Sequence, residues 1–210
     1  ENNNDDRPPA DSILMELHKA APDDIAAFEQ QHQAISLKPG NIIAGRFEVL
    51  GQLGAGGMGA VYLVTDKQLQ EKRALKVMLP ALVDNPAAHK RFLNEIRVLQ
   101  RLSHDAVVRV HDLGVDEERK LQFFTMEYIE GETLHRKLAN AGGTFSPKEV
   151  IEITIELCEA LEYAHDKTIH RDLKPANIMT DEEGRLRVLD FGLAKLMTTN
   201  HMTMTNAVMG

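Results

Sequence analysis

Ile169 to Gly192 reads IHRDLKPANIMTDEEGRLRVLDFG. It holds HRDLKPAN, His170 to Asn177, and, past a turn with hairpin character, Asp190-Phe191-Gly192. Two carboxylates, Asp172 and Asp190, flank that hairpin; Asn177 adds a neutral oxygen, and Arg171 and Lys174 add cations. A carboxylate and an amide oxygen suit Mg²⁺, which keeps its waters and favours substrate phosphates over an all-protein cage. The carboxylate left off the metal can take a proton from an attacking hydroxyl, and Lys174 can offset charge on a moving phosphoryl group. Phosphoryl transfer needs little else, being mostly positioning and electrostatics. The plainer reading is a turn-rich hairpin of solvated charges, and so many polar groups of the right kinds in a short run weigh against it.

On the N-terminal side the sequence predicts a supporting helix. Ser146-Pro147-Lys148-Glu149 has the form of a capping box, with Ser146 at N-cap, Pro147 at N1 and Glu149 at N3. Behind it, to about Lys167, Val150, Ile153, Leu157, Leu161 and Ala164 recur at helical spacing, as for a buried support. Cys158, the single cysteine, lies in this helix. It has no partner for an internal disulfide, fits a reducing compartment, and reads as a small buried apolar side chain. Further upstream, Thr133 to Ala141 predicts a short helix stopped by Gly142-Gly143. Strands are expected over Val107 to Val115 and Leu121 to Tyr128, the second running into a glycine, Gly131, that suggests a hinge.

Nearer the start, Arg46 to Val64 alternates as strands around Gly54-Ala55-Gly56-Gly57-Met58-Gly59-Ala60-Val61, a GxGxxGxV pattern. Glycines let a hairpin bring backbone N–H groups against phosphates. The pattern also marks dinucleotide folds, but there the glycines open a helix; here β-branched and aromatic residues continue a strand. A third strand, Arg73 to Leu79, carries Lys76 among apolar neighbours, where an ammonium needs a partner. Glu95 can supply one from the next predicted helix, Pro86 to Leu102, whose stripe is Phe92, Ile96 and Leu99. Two unrelated surface charges are the alternative reading of that pair.

Composition is that of a globular chain: 210 residues, 43% hydrophobic, 27% charged. The formal net charge of -8 supplies no broad basic surface and argues against nucleic acid as a partner. No apolar run is long enough to span a membrane, and a cytoplasmic location is expected. Residues 1–11 are polar and read as disordered; Ser12 to about Ile35 turns helical. A start at Glu1 rather than Met suggests a piece of something longer.

In chain order, then, the sequence carries GxGxxGxV, a strand Ala74-Leu75-Lys76, a helix Glu95, HRDLKPAN and Asp190-Phe191-Gly192. Together these resemble the eukaryotic-type protein kinases. Lys174, two residues after Asp172, is similar to the serine/threonine class, and the phrasing around the glycines to its bacterial members. The resemblance implies an α+β, bilobal protein kinase-like fold: a leader over 1–45, an N-lobe of antiparallel sheet plus one helix over 46–126, and a partial helical C-lobe over 127–210. It implies ATP and Mg²⁺ as cofactors and serine or threonine hydroxyls of proteins as acceptors. Leu53, Gly54, Ala55, Gly56, Gly57, Met58, Gly59 and Val61 would cover the phosphates, with Ala74 beside the nucleotide. Lys76 would hold the α/β-phosphates, aimed by Glu95. Glu127 and Ile129 would bond adenine through their backbones, with Met126 as gatekeeper. Asp172 would be the catalytic base, Lys174 a γ-phosphate contact, and Asn177 and Asp190 the metal ligands.

The family continues through an Ala-Pro-Glu motif and further helices, whereas this chain stops at Gly210. It reads either as an excerpt of a longer kinase or as a truncated, inactive product. Two other functions compete with catalysis of protein phosphorylation. One is an ATP-binding pseudokinase or scaffold, although none of the usual residues is missing. The other is a small-molecule phosphotransferase of kinase-like fold, although such proteins typically lack full HRDLKP and DFG. In the tail, Thr203 and Thr205 stand where similar bacterial kinases carry phosphothreonines. An otherwise unpaired Arg171, with Lys195, is expected to receive those phosphates.

Overall fold

The computed structural model describes residues 36–56, 59–78 and 85–191. The predicted helices of 12–35 lie outside them, as do Gly57, Met58, Gly192, Lys195, Thr203 and Thr205. The chain divides into two compact units, residues 1–81 with 114–123 and residues 82–113 with 124–210.

The first unit is built on antiparallel strands: β1 (Ile42–Ile43), β2 (Phe47–Gly56), β3 (Gly59–Asp66) and β4 (Glu71–Met78). Two further strands, β5 (Val110–Asp116) and β6 (Leu121–Glu127), contribute their turn ends to it. The six-stranded order is β1-β2-β3-β4-β6-β5. Alternation explains the core. Ala60, Tyr62 and Val64 of β3 point one way, into a cluster with Ile43, Phe47, Val49, Leu75, Val77, Leu121 and Phe123. There the Phe47 and Phe123 rings meet edge-on, with centroids 5.7 Å apart.

Two buried aspartates close the turns of this sheet. Asp66 accepts from Arg46 Nε at 3.0 Å and Arg46 Nη2 at 2.6 Å, and from the Gln68 N–H at 3.0 Å; Arg73 Nε lies 3.5 Å away. Asp116 accepts from the N–H groups of Ala44 at 2.9 Å and Arg119 at 2.8 Å, and from the Arg119 guanidinium. The Arg46 side-chain bond is the main cause that holds the Asp66 carboxyl below the ordinary carboxylate value. For Asp116, burial alone would raise the value, but the two N–H groups and Arg119 outweigh it and the net shift is downward.

In the second unit α1 (Pro86–Leu99) buries Phe92, Ile96 and Leu99, the predicted stripe, and Phe92 packs on Phe124. The helix stops short of the expected Leu102. Gly131 opens β7 (Gly131–Thr133), and a Cβ there would collide with the Thr180 carbonyl of the paired strand; close approach, beyond any hinge, demands the glycine. Next comes α2 (Leu134–Asn140), capped by Thr133 Oγ1 and followed by Gly142 and Gly143, both at positive φ.

The capping box is present on α3 (Pro147–His165): Ser146 N–H donates to Glu149 Oε2 at 2.9 Å, and Glu149 N–H to Ser146 Oγ at 3.3 Å. The expected burial of α3 is only partly met. Ala160 and Ala164 are buried, whereas Val150 is 47% exposed, as are Ile151 (59%) and Ile155 (54%). Cys158 is exposed too, against the expectation of a buried thiol. It shares the open apolar face of Val150, Ile151 and Ile155, a face that no described element covers. Among the described residues no helix is long and apolar enough to cross a membrane.

Candidate active site

A 3₁₀ turn (Pro175–Asn177) leads into β8 (Ile178–Asp181) and β9 (Leu186–Val188), antiparallel neighbours in a three-stranded sheet with β7. This is the predicted hairpin. β9 is held on its other side by an upstream segment. Val107 and Val188 form a parallel bridge, Val108 N–H donating to Val188 O at 3.0 Å and Val188 N–H to Ala106 O at 2.7 Å. Leu189 N–H then donates to Asn177 O at 2.8 Å, which sets Asp190 beside Asn177.

His170 is buried and ties the two ends together. Its Nε2 donates to the Leu189 carbonyl at 2.7 Å, and its Nδ1 accepts from Asp172 N–H at 3.3 Å. That pattern fits the neutral ring. Burial pushes its pKa below the ordinary histidine value, against the opposing pull of the Leu189 bond and the nearby Asp190 and Asp172 carboxylates. The Phe191 ring lies 4.7 Å from it. Arg171 and Asp190 take positive φ, 66° and 51°, a region that non-glycine residues occupy at some cost and that concentrates at functional sites.

Asn177 Nδ2 donates to both the carbonyl of Asp172 (2.8 Å) and its Oδ2 (3.0 Å). Lys174 Nζ sits 3.1 Å from the same Oδ2. The structure thus brings Asp172, Lys174 and Asn177 into one hydrogen-bonded group, and Asp190 follows directly on the Leu189 amide that bonds Asn177. Asn177, with its amide nitrogen spent on Asp172, keeps its amide oxygen for a ligand. A carboxylate and an amide oxygen side by side fit Mg²⁺ completed by phosphate and water.

Arg171 is the correction. Expected to be unpaired, it bonds Glu95 of α1, Nη1 to Oε1 at 3.3 Å, with both side chains partly buried. A loop arginine without a phosphate still has a charge to satisfy, and the carboxylate within reach takes it.

The positions expected to read the base lie in the same unit. Met126 and Ile129 are buried, and Glu127 N–H is committed to the Arg109 carbonyl at 2.9 Å. Of the first-unit residues, Lys76 and Ala74 are buried in β4 and Leu53 is exposed. Gly54 pairs with Val61 and Ala55 with Ala60, while Gly56 pairs with Gly59 at the tip. A Cβ on Gly54 would meet nothing within 4 Å. Sequence reasoning passed over two members of the site. His170 acts through its backbone partners, and Arg187 is a lone cation within a strand.

A glycine-tipped antiparallel sheet in one unit, and in the other a hairpin joining the HRD and DFG segments, make this the protein kinase fold. The protein kinase domain family matches residues 47–209, and the chain belongs to it. It is 39% identical over 173 residues to a probable serine/threonine-protein kinase of Streptomyces coelicolor, covering 80% of this chain and 26% of that protein. It is 36% identical over 172 residues to serine/threonine-protein kinase PrkC of Bacillus subtilis, covering 81% of this chain and 26% of that one. The crystal structure of the Mycobacterium tuberculosis PknI kinase domain (C20A mutant) aligns with TM-score 0.67 and 34% identity, covering 76% of this chain and 64% of that. The chain spans about a quarter of the length of the curated relatives cited here.

Proposed function

We propose that the chain is the nucleotide-binding and catalytic part of a protein serine/threonine kinase that moves the γ-phosphate of ATP to protein hydroxyls. The observation that carries this is the shared Oδ2 of Asp172. With Asn177 and Lys174 both on that oxygen, the carboxylate is fixed, and Oδ1 is assigned as the atom that takes the proton of the attacking serine or threonine. Lys174, so placed, also offsets charge on the γ-phosphoryl as it moves. Asn177 and Asp190 would hold Mg²⁺, which when bound neutralises phosphate charge. The strap of residues 53–61 and Lys76 would hold the phosphates, and the Glu127 carbonyl and Ile129 backbone would read adenine. The division into an N-lobe over 46–126 and a C-lobe from 127 is part of this reading.

The pairing of Arg171 with Glu95 sharpens the regulatory expectation. A phosphate on Thr203 or Thr205 would have to draw Arg171 away from a carboxylate, with Lys195 as a second contact. Mass spectrometry after incubation with Mg-ATP tests this: an active enzyme with both threonines unmodified rejects it.

Transfer of radiolabel from ATP to a generic protein substrate, by the full-length protein, tests the main reading. Asp172→Asn should lower kcat at least about a hundredfold while nucleotide affinity stays within about twofold, because the group serves mainly the transition state. Near-normal turnover by that variant would remove Asp172 as the base. Nucleotide binding without any transfer would favour a scaffold.

A further inference from the structure

Arg187 has no role in the reading above. It stands mid-strand in β9, opposite Met179 of β8, between Leu186 and Val188, whose side chains are buried on the alternate face. Its own side chain is only 12% exposed. Withdrawing a guanidinium from water to that degree is costly unless carboxylates receive it. Two do so. Nη2 donates to Glu127 Oε2, and Nη1 lies 4.0 Å from Asp181 Oδ2. The Asp181 carboxylate is already served by Arg185, whose N–H and Nε reach it at 2.8 and 3.0 Å. The distinctive partner of Arg187 is therefore Glu127, the last residue of β6.

That pair runs beside a backbone tie. Residues 106–109 bond β9 through Val188 and bond Glu127 through the Arg109 carbonyl. Glu127 is thus gripped at its N–H by the segment 106–109 and at its carboxylate by β9. The Glu127 side chain is 37% exposed, and ion pairs at such exposure contribute little to stability. They can still fix an orientation, and a forked guanidinium does so better than an ammonium.

We propose that Arg187 is a positioning residue for the base of the nucleotide. By holding the Glu127 carboxylate it fixes the carbonyl of that residue, and the peptides leading to Ile129, where they discriminate adenine from other bases. This rests on the reading of 127–129 as the adenine site. The strand that leads to Asp190, assigned above as a metal ligand, then also braces the segment that reads the base, so one element sets both ends of the nucleotide.

Calorimetric titration of the full-length protein with AMP-PNP and with GMP-PNP, in Mg²⁺, tests it. Arg187→Met and Glu127→Gln should each weaken AMP-PNP about tenfold, comparable to losing one charge-assisted bond. GMP-PNP should change little, so that base preference narrows while circular dichroism and melting temperature stay near wild type. The double variant should be no worse than either single one, since both remove one interaction, and Arg187→Lys should recover part of the loss. Unchanged AMP-PNP affinity and unchanged base preference in both single variants would overturn the proposal. If Arg187→Met fails to fold, Glu127→Gln decides the matter, because it keeps shape and removes charge. A wild-type protein that binds neither nucleotide would overturn the adenine-site reading itself, and this inference with it.

Discussion

At Gly59 the backbone takes φ +139°, and an added Cβ would run into the Val77 carbonyl of the paired strand; at Gly54 it would meet open space. Both belong to the same glycine pattern, and sequence reasoning assigned them one purpose. Physically they differ. Gly59 is required by the β3–β4 pairing, so Gly59→Ala should destabilise the protein by roughly 2–4 kcal/mol through strain and displaced backbone. Gly54→Ala should leave the melting temperature within a few degrees, a change of about 1 kcal/mol or less. Only the second is a fair probe of nucleotide binding. Thermal melts of the two variants, followed by titration with AMP-PNP, check this; equal melts would refute the distinction. The pairing of Arg171 with Glu95 was hidden for a related reason. The motif names the arginine, but only the fold says which carboxylate is near when no phosphate is.

The helix α3 shows which parts of an element a sequence discloses. Its capping box was legible because every partner lies within one turn: Ser146 and Glu149 bond each other across Pro147 at N1. Ser146→Ala should cost about 1 kcal/mol, read as a lower denaturant midpoint with unchanged slope. Burial was not legible, because apolar spacing marks a face without saying what packs on it. Ala160 and Ala164 found neighbours; Val150, Ile151, Ile155 and Cys158 did not. An open apolar face of this kind favours self-association. The isolated 210-residue chain should therefore sediment as a concentration-dependent mixture, and Ile151→Glu with Ile155→Lys should shift it toward monomer. A wild-type chain that stays monomeric at all concentrations contradicts this.

Over the whole molecule, the order of motifs was enough to give the fold, and the grouping of Asp172, Lys174 and Asn177 was legible because those residues lie within one short loop. The buried acids of the first unit were not foreseen, because key partners arrive from elsewhere: Arg46 for Asp66, and the Ala44 N–H for Asp116. They carry a pH consequence. Asp66 and Asp116 both titrate lower folded than unfolded, so their contribution is present above the ordinary aspartate value of about 4 and is lost as pH falls through the folded values. Asp66→Asn should melt well below wild type at pH 7, by roughly 3 kcal/mol or more for a broken buried pair, and the gap should shrink toward pH 3. A gap independent of pH would show that the charge is not what matters. Finally, the parallel bridge of Val107 and Val188 bears on how the chain breathes. The amides of Val108 and Val188 are both donors in it, and the valines around it are buried. In deuterium exchange these two amides should fall into a single slow class with Leu189, opening together, while those around Gly184 at the β8–β9 turn exchange early. Asp190, two residues past that strand, would then be released only as often as a distant segment, residues 106–109, lets the strand go.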